Sequence, residues 1–461
     1  MARRLHYTAL IFATGCWLAG GPVVAQSEIG GDVDIEVETG DIDSIAAGSS
    51  ASSEVAVGAI SASEIGGDVE INVETGDITS IATGAFVSSE VNAGSVVDSE
   101  VGGDVTIEVE TGDITSIAAG AGASSQVNAG SVVDSEIGGD VDINVETGDL
   151  TSLAAGAGAV SVVNAGSVKN SDVGGDVDIN VEADNIISTA AGVAAVSNAN
   201  LGSLQNSDVG GDVDIDVEAG NVVSAAVGLG ALSNVNLGSV QNSDVGGDVD
   251  IDVETGNVAA AAIGLGALAN ANVGSVQNSA IGGDANINAK TDNVLSTAVG
   301  LGVLSNVNIG STQNASVGGD VNIDVETANV VSVAAGLGAA SEATIGSLEN
   351  AAVGGDVNVN VETGNVLSSA LGLGVYAETS VGSVKNAAVG GDAEITVETG
   401  NLANVAAGIG QHSKLRVGNV QNTAVGGDAR INVKTRDLGA YSVGAFGFEA
   451  KQEVNIGNIG N

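Results

Sequence analysis

The triplet Gly-Gly-Asp begins at residues 30, 66, 102, 138, 174, 210, 246, 282, 318, 354, 390 and 426, always 36 residues after the preceding copy. Twelve copies without one insertion between them require each unit to sit on the last in register, because an extra residue would shift every axial contact beyond it. The chain therefore divides into a leader at 1–25, a short lead-in at 26–29, eleven regular repeats over 30–425 and a divergent terminal repeat at 426–461.

Within one unit, Gly246 to Ile281, the apolar residues Val249, Ile251 and Val253 alternate with Asp250, Asp252 and Glu254. A period of two is the pattern of a half-buried strand. The middle apolar position is isoleucine in eleven units and Val359 in the remaining one. A weaker 18-residue echo pairs Gly246 with Gly264, Gly256 with Gly274, Val258 with Val276 and Ile263 with Ile281. The expected fold is all-β, a β-solenoid of twelve 36-residue repeats, with two coils of about 18 residues in each. At about 4.8 Å per coil that gives a rod of roughly 110 Å, and one larger coil per unit would halve it. A helical reading fails on the fixed glycines and the β-branched apolar set. The Ala-rich stretch Ala259 to Ala269 is the one place for a short helical turn.

Composition narrows the core and the partners. The chain is 44% hydrophobic but only 2% aromatic, with 70 glycines, so the core is built from small and branched side chains. A net charge of −47 repels nucleic acid and anionic membranes, and attracts divalent cations or a basic partner. The first 25 residues read as a secretory signal: Arg3 and Arg4, the apolar run Ala9 to Leu18, and a small-residue cleavage site at Val23-Val24-Ala25. The alternative uses Phe12 to Cys16 as a lipobox and leaves a lipoprotein anchored at Cys16. Cleavage after Ala25 removes the sole cysteine, tryptophan and proline, so the mature chain has no disulfide. No later segment is long and apolar enough to form a transmembrane helix.

Stacking turns single residues into columns. Asp32, Asp68, Asp104, Asp140, Asp176, Asp212 and Asp248, with their successors, form one carboxylate column. Glutamate fills another in ten of twelve units, Lys290 and Lys434 being the exceptions. Carboxylates and turn carbonyls are the preferred ligands of Ca2+, so these aspartates are calcium candidates; the alternative is a solvated acidic face that blocks sideways sheet pairing. A further column, Asn170, Asn206, Asn242, Asn278, Asn314, Asn350, Asn386 and Asn422, is expected to form an amide ladder, a turn position, or both. The position closing the turn after the strand is Asp41, Asp77, Asp113 and Asp149, then Asn185 through Asn401, then Asp437.

No catalytic constellation is legible, and the expectation is that the protein is not an enzyme. His412 is the one histidine after the leader and reads as a surface residue beside Lys414 and Arg416, while Phe86 and Tyr376 stand isolated. A polysaccharide-active β-helix would need a localised cluster of acids and bases interrupting one face. The terminal repeat sets Arg430, Lys434, Arg436 and Lys451 against Asp428, Asp437, Glu449 and Glu453, whereas the first unit carries eight acids and no base. It reads as a cap, or as a docking end for head-to-tail growth.

The run Gly174-Gly175-Asp176-Val177-Asp178-Ile179-Asn180-Val181, followed by a turn and an Ala-rich stretch, resembles the repeats of bacterial extracellular functional-amyloid subunits of the Fap and curli type. The resemblance implies a secreted, biofilm-associated or surface-attached structural role. The expected function is thus a secreted structural protein acting as adhesin, matrix element or fibre subunit, through self-association or a separate outer-membrane or surface anchor. The alternative is a calcium-dependent extracellular binding module or surface-layer component.

Overall fold

The computed structural model describes residues 27–444 and 451–460; the expected leader at 1–25 lies outside them. Every strand pairs in parallel with the strand one repeat away, as in Val213↔Val249 and Val249↔Ala285. Each 36-residue unit is therefore one coil, and the molecule is a β-solenoid of about twelve turns. The expectation of two 18-residue coils per unit is corrected: the rod is about 55 Å long at ~4.8 Å per coil. The echo misleads because its halves occupy different walls. Val258 lies in a long strand, Val258–Leu265, whereas its counterpart Val276 sits in the two-residue strand Val276–Gln277.

Four parallel sheets wall the rod. In the unit beginning at Gly246 the chain runs through Val249–Thr255 and Val258–Leu265 along one long sheet. It reverses, returns through Leu268–Val273, and closes through the short strands Val276–Gln277 and Ala280–Ile281. The Ala-rich stretch contains no helix; it is extended on either side of the reversal at Gly266, with Ala260, Ala262, Ala269 and Ala271 buried. Alternation explains this, since only a period of two puts these small side chains together between the long sheet and its return.

The core has two parts. Val249, Ile251, Val253, Val273, Val276 and Ile281 fill an aliphatic compartment. The Ala- and Ser-lined arm beyond it is thin enough for hydroxyls on its two walls to meet, Ser53 Oγ lying 2.8 Å from Ser44 Oγ. At the reversal Gly264 has φ of +157°, and a Cβ there would lie 1.4 Å from the Gly228 carbonyl oxygen. Only glycine lets successive reversals stack so closely.

Both ends are less covered than the middle. Val33, Ile35 and Val37 in the first coil and Ile431 and Val433 in the last are half-buried, while their counterparts Val249, Ile251 and Val253 are fully buried. The last coil keeps the 36-residue register from Ala393↔Ala429 to Gly408↔Gly444, then resumes at His412↔Lys451, an offset of 39.

Candidate functional site

The aspartate column proposed for calcium has a backbone role in the fold. Asp32 Oδ1 accepts the Asp68 N–H at 3.2 Å, and the relation repeats through Asp104, Asp140, Asp176, Asp212 and Asp248 to Asp284. Each carboxylate oxygen occupies the space a side chain on the second glycine of the next pair would need, and the first glycine stacks on the backbone carbonyl of the glycine one coil back, which is why the triplet recurs. A Cβ at Gly283 would lie 1.8 Å from Asp248 Oδ1. Among the described residues no group of three or more His, Cys, Asp or Glu is arranged to hold a metal.

The asparagine column unites both sequence readings. Asn206 Nδ2 donates to Asn170 Oδ1 at 3.0 Å, and the ladder continues through Asn242, Asn278, Asn314, Asn350 and Asn386 to Asn422. All eight residues also hold φ near +51°, a left-handed turn conformation that asparagine tolerates best after glycine. The turn-closing column behaves likewise once asparagine replaces aspartate, Asn257 Nδ2 donating to Asn221 Oδ1 at 2.7 Å.

Two internal ladders escaped the sequence reading. Serine hydroxyls zigzag along the arm, Ser80 to Ser53, Ser89 to Ser80 and Ser116 to Ser89, each at 2.9 Å, and the chain breaks at Ala260 and Ala269. A second ladder of buried amides runs through Asn128, Asn164, Asn200, Asn236, Asn272 and Asn308, braced by glutamines such as Gln241 on Asn236 at 2.9 Å. Both had a signal available, namely a recurring polar residue at a position where the alternation calls for an inward or corner-facing side chain.

From residue 342 onward that amide ladder gives way to ions. Glu342, Glu378 and Lys414 follow Asn306 in one column, Arg416 follows Asn308, Thr344 and Ser380 in the next, and Glu349 and Lys385 follow Gln313. Arg416, only 2% exposed, pairs with Glu378, which also accepts from the Tyr376 hydroxyl. Lys385 Nζ lies 3.5 Å from Glu349, and Lys414 Nζ lies 3.8 Å from Glu453. The three pairs each join neighbouring coils, so together they staple the last four. Burial pushes the Glu378 carboxyl up to about 7, against the pull of Lys385. Burial, then the Glu349 charge, raises Glu342, and burial lowers Arg416.

This cluster corrects one expectation: Tyr376 is not isolated, since its ring meets that of His412 edge to face, with centroids 5.2 Å apart. Phe86 is exposed. In the cluster each of the three bases, Lys385, Lys414 and Arg416, is paired with a glutamate.

The outer surfaces divide by charge. The glutamate column borders an open groove of about 1470 Å3 between Thr39 and Arg436. There Lys290 Nζ reaches Glu254 at 2.7 Å, and Lys434 reaches Glu398 in the same way. The arm carries no such charge along its long-sheet face from Ile187 to Ile409, and Leu229, Leu265, Leu301, Leu337 and Leu373 stand in one exposed column near its tip. No helix of the described residues is long and apolar enough to cross a membrane. Comparison of the chain with protein-family models, with curated proteins and with solved structures returned no match.

Proposed function

We propose that the protein is a secreted structural element, a rigid acidic rod whose copies join end to end into fibres of a cell-surface or biofilm matrix. The observation that carries this reading is the relation between the two ends of the columns. Arg430 and Lys434 in the last coil occupy the columns that begin with Asp34 and Glu38 in the first. Another copy added in register would bring each base against an acid, about 4.8 Å away along the axis. The chain already contains the same junction in miniature, since Lys290 pairs with Glu254 one coil away.

Two further features support it. The half-buried Val33, Ile35 and Val37 at one end match the half-buried Ile431 and Val433 at the other, so joining them extends one aliphatic core. Edge strands also carry backbone groups that only another strand satisfies, and a heterologous contact of this kind does not close on itself. Three like-charge pairs oppose the junction, Asp428 in the column of Asp32, Asp437 in the column of Asp41 and Glu453 in the column of Glu54; in the first column the ladder bond, in which each Asp Oδ1 accepts the next backbone N–H, offsets the repulsion.

Electron microscopy of the mature chain tests the proposal. Unbranched filaments are expected, and Arg430→Glu with Lys434→Glu should leave discrete rods of about 55 Å. Discrete rods from the unaltered chain at every concentration would overturn it.

A further inference from the structure

The arm presents a surface that end-to-end growth does not use. In the seven coils from Gly174 to Val425 the outward positions of its long-sheet face include Ile187, Val227, Ile263, Leu295 and Leu371, all exposed, and not one charged residue. The column at the tip runs Val193, Leu229, Leu265, Leu301, Leu337 and Leu373, with Leu265 47% exposed. In the first four coils the same face is mixed, with Asp43, Thr79, Thr115 and Thr151 where Ile187 stands later, beside an outward column of Ile45, Ile81, Ile117 and Leu153.

We infer that this strip is the interface of a lateral dimer, in which it packs on the same strip of a second copy. Area is one reason. Six steps of about 4.8 Å by six residues of about 3.3 Å give a footprint of roughly 600 Å2. That lies at the top of the ~300–600 Å2 range of the largest apolar patch on a typical monomer, a size that is often functional, and approaches the ~800 Å2 that each partner buries in a stable complex.

Charge is the other reason, and it selects the occupant. A chain of net charge −47 meets another copy at least cost where neither brings a carboxylate to be desolvated, and this face fulfils that condition for both. The aliphatic coils centre on the unit containing Leu295 and Leu301. A two-fold axis through that unit sets the coil of Ile187 opposite the coil of Ile409, so the strip complements itself and the contact closes. The faces meet as two sheets about 10 Å apart, with the carboxylate columns directed elsewhere. This inference is independent of end-to-end growth.

The test uses the mature chain carrying Arg430→Glu and Lys434→Glu, so that the ends contribute nothing. Sedimentation velocity at micromolar concentration and high salt should show a dimer. Leu265→Asp with Leu301→Asp, both exposed and therefore tolerated by the fold, should weaken it at least about a hundredfold, with an unchanged circular dichroism spectrum. Thr115→Asp with Thr151→Asp, on the same face outside the strip, should leave it intact. A monomer at every concentration, a dimer that survives the leucine changes, or flotation of monomers with zwitterionic phosphatidylcholine vesicles would overturn the inference.

Discussion

Asp248 Oδ1 accepts the backbone N–H of Asp284, one coil further along, at 2.8 Å. The same oxygen lies 1.8 Å from where a side chain on Gly283 would begin. Gly283→Ala must therefore displace the carboxylate and break that bond, at a cost of about 1–3 kcal/mol. Gly30→Ala, with nothing within 4 Å of its Cβ position, should be neutral. Denaturant unfolding of the two variants checks the contrast.

Removing Arg416 should be among the most damaging single changes in the C-terminal coils. Arg416→Met leaves the Glu378 carboxyl buried without its base, for a loss of roughly 3–5 kcal/mol. Adding Glu378→Gln should recover much of it, because no uncompensated charge then remains. A double-mutant cycle in urea measures the coupling.

Stability should rise on mild acidification. Burial, then neighbouring carboxylates in the ladders, hold Asp178, Asp216 and Asp250 above the ordinary 3.8. The folded state then binds protons more tightly than the unfolded chain, so stability increases as pH falls from neutral through the raised values, and the gain is complete below 3.8. Thermal unfolding at fixed ionic strength should give a higher Tm at pH 5 than at pH 7.5. The opposite order would show that the ladders are not under repulsion.

Chelation should leave the rod unchanged. The aspartates first read as calcium ligands each use Oδ1 to accept a backbone N–H, as Asp68 does from Asp104 at 3.1 Å. The melting temperature with EDTA should equal that with added calcium. A fall on chelation would assign these columns a metal.

Much of this architecture is legible in the residues. The 36-residue spacing and the alternation of Val249, Ile251 and Val253 define stacked strands, and the asparagine columns follow from stacking alone. The number of coils is not legible, because Val258 and Val276 repeat a residue type without repeating a place in the cross-section. The burial of Arg416 is not legible for a related reason. Only its column, shared with the buried Asn272 and Asn308, puts it inside a corner. The aliphatic arm face is visible as Leu229, Leu265 and Leu301 at one spacing, but a leucine column reads equally well as core until the direction of each strand is known.

Mass per length of the filaments tests the central claim most directly, because it reads the number of coils and the mode of joining together. For Leu265→Asp with Leu301→Asp, which prevents lateral pairing, one 36-residue coil per ~4.8 Å corresponds to roughly 0.7 kDa per Å along an unbroken filament. That value is expected from scanning transmission electron microscopy. Half of it would mean two coils per repeat, and the absence of filaments would mean that the ends of this rod do not join.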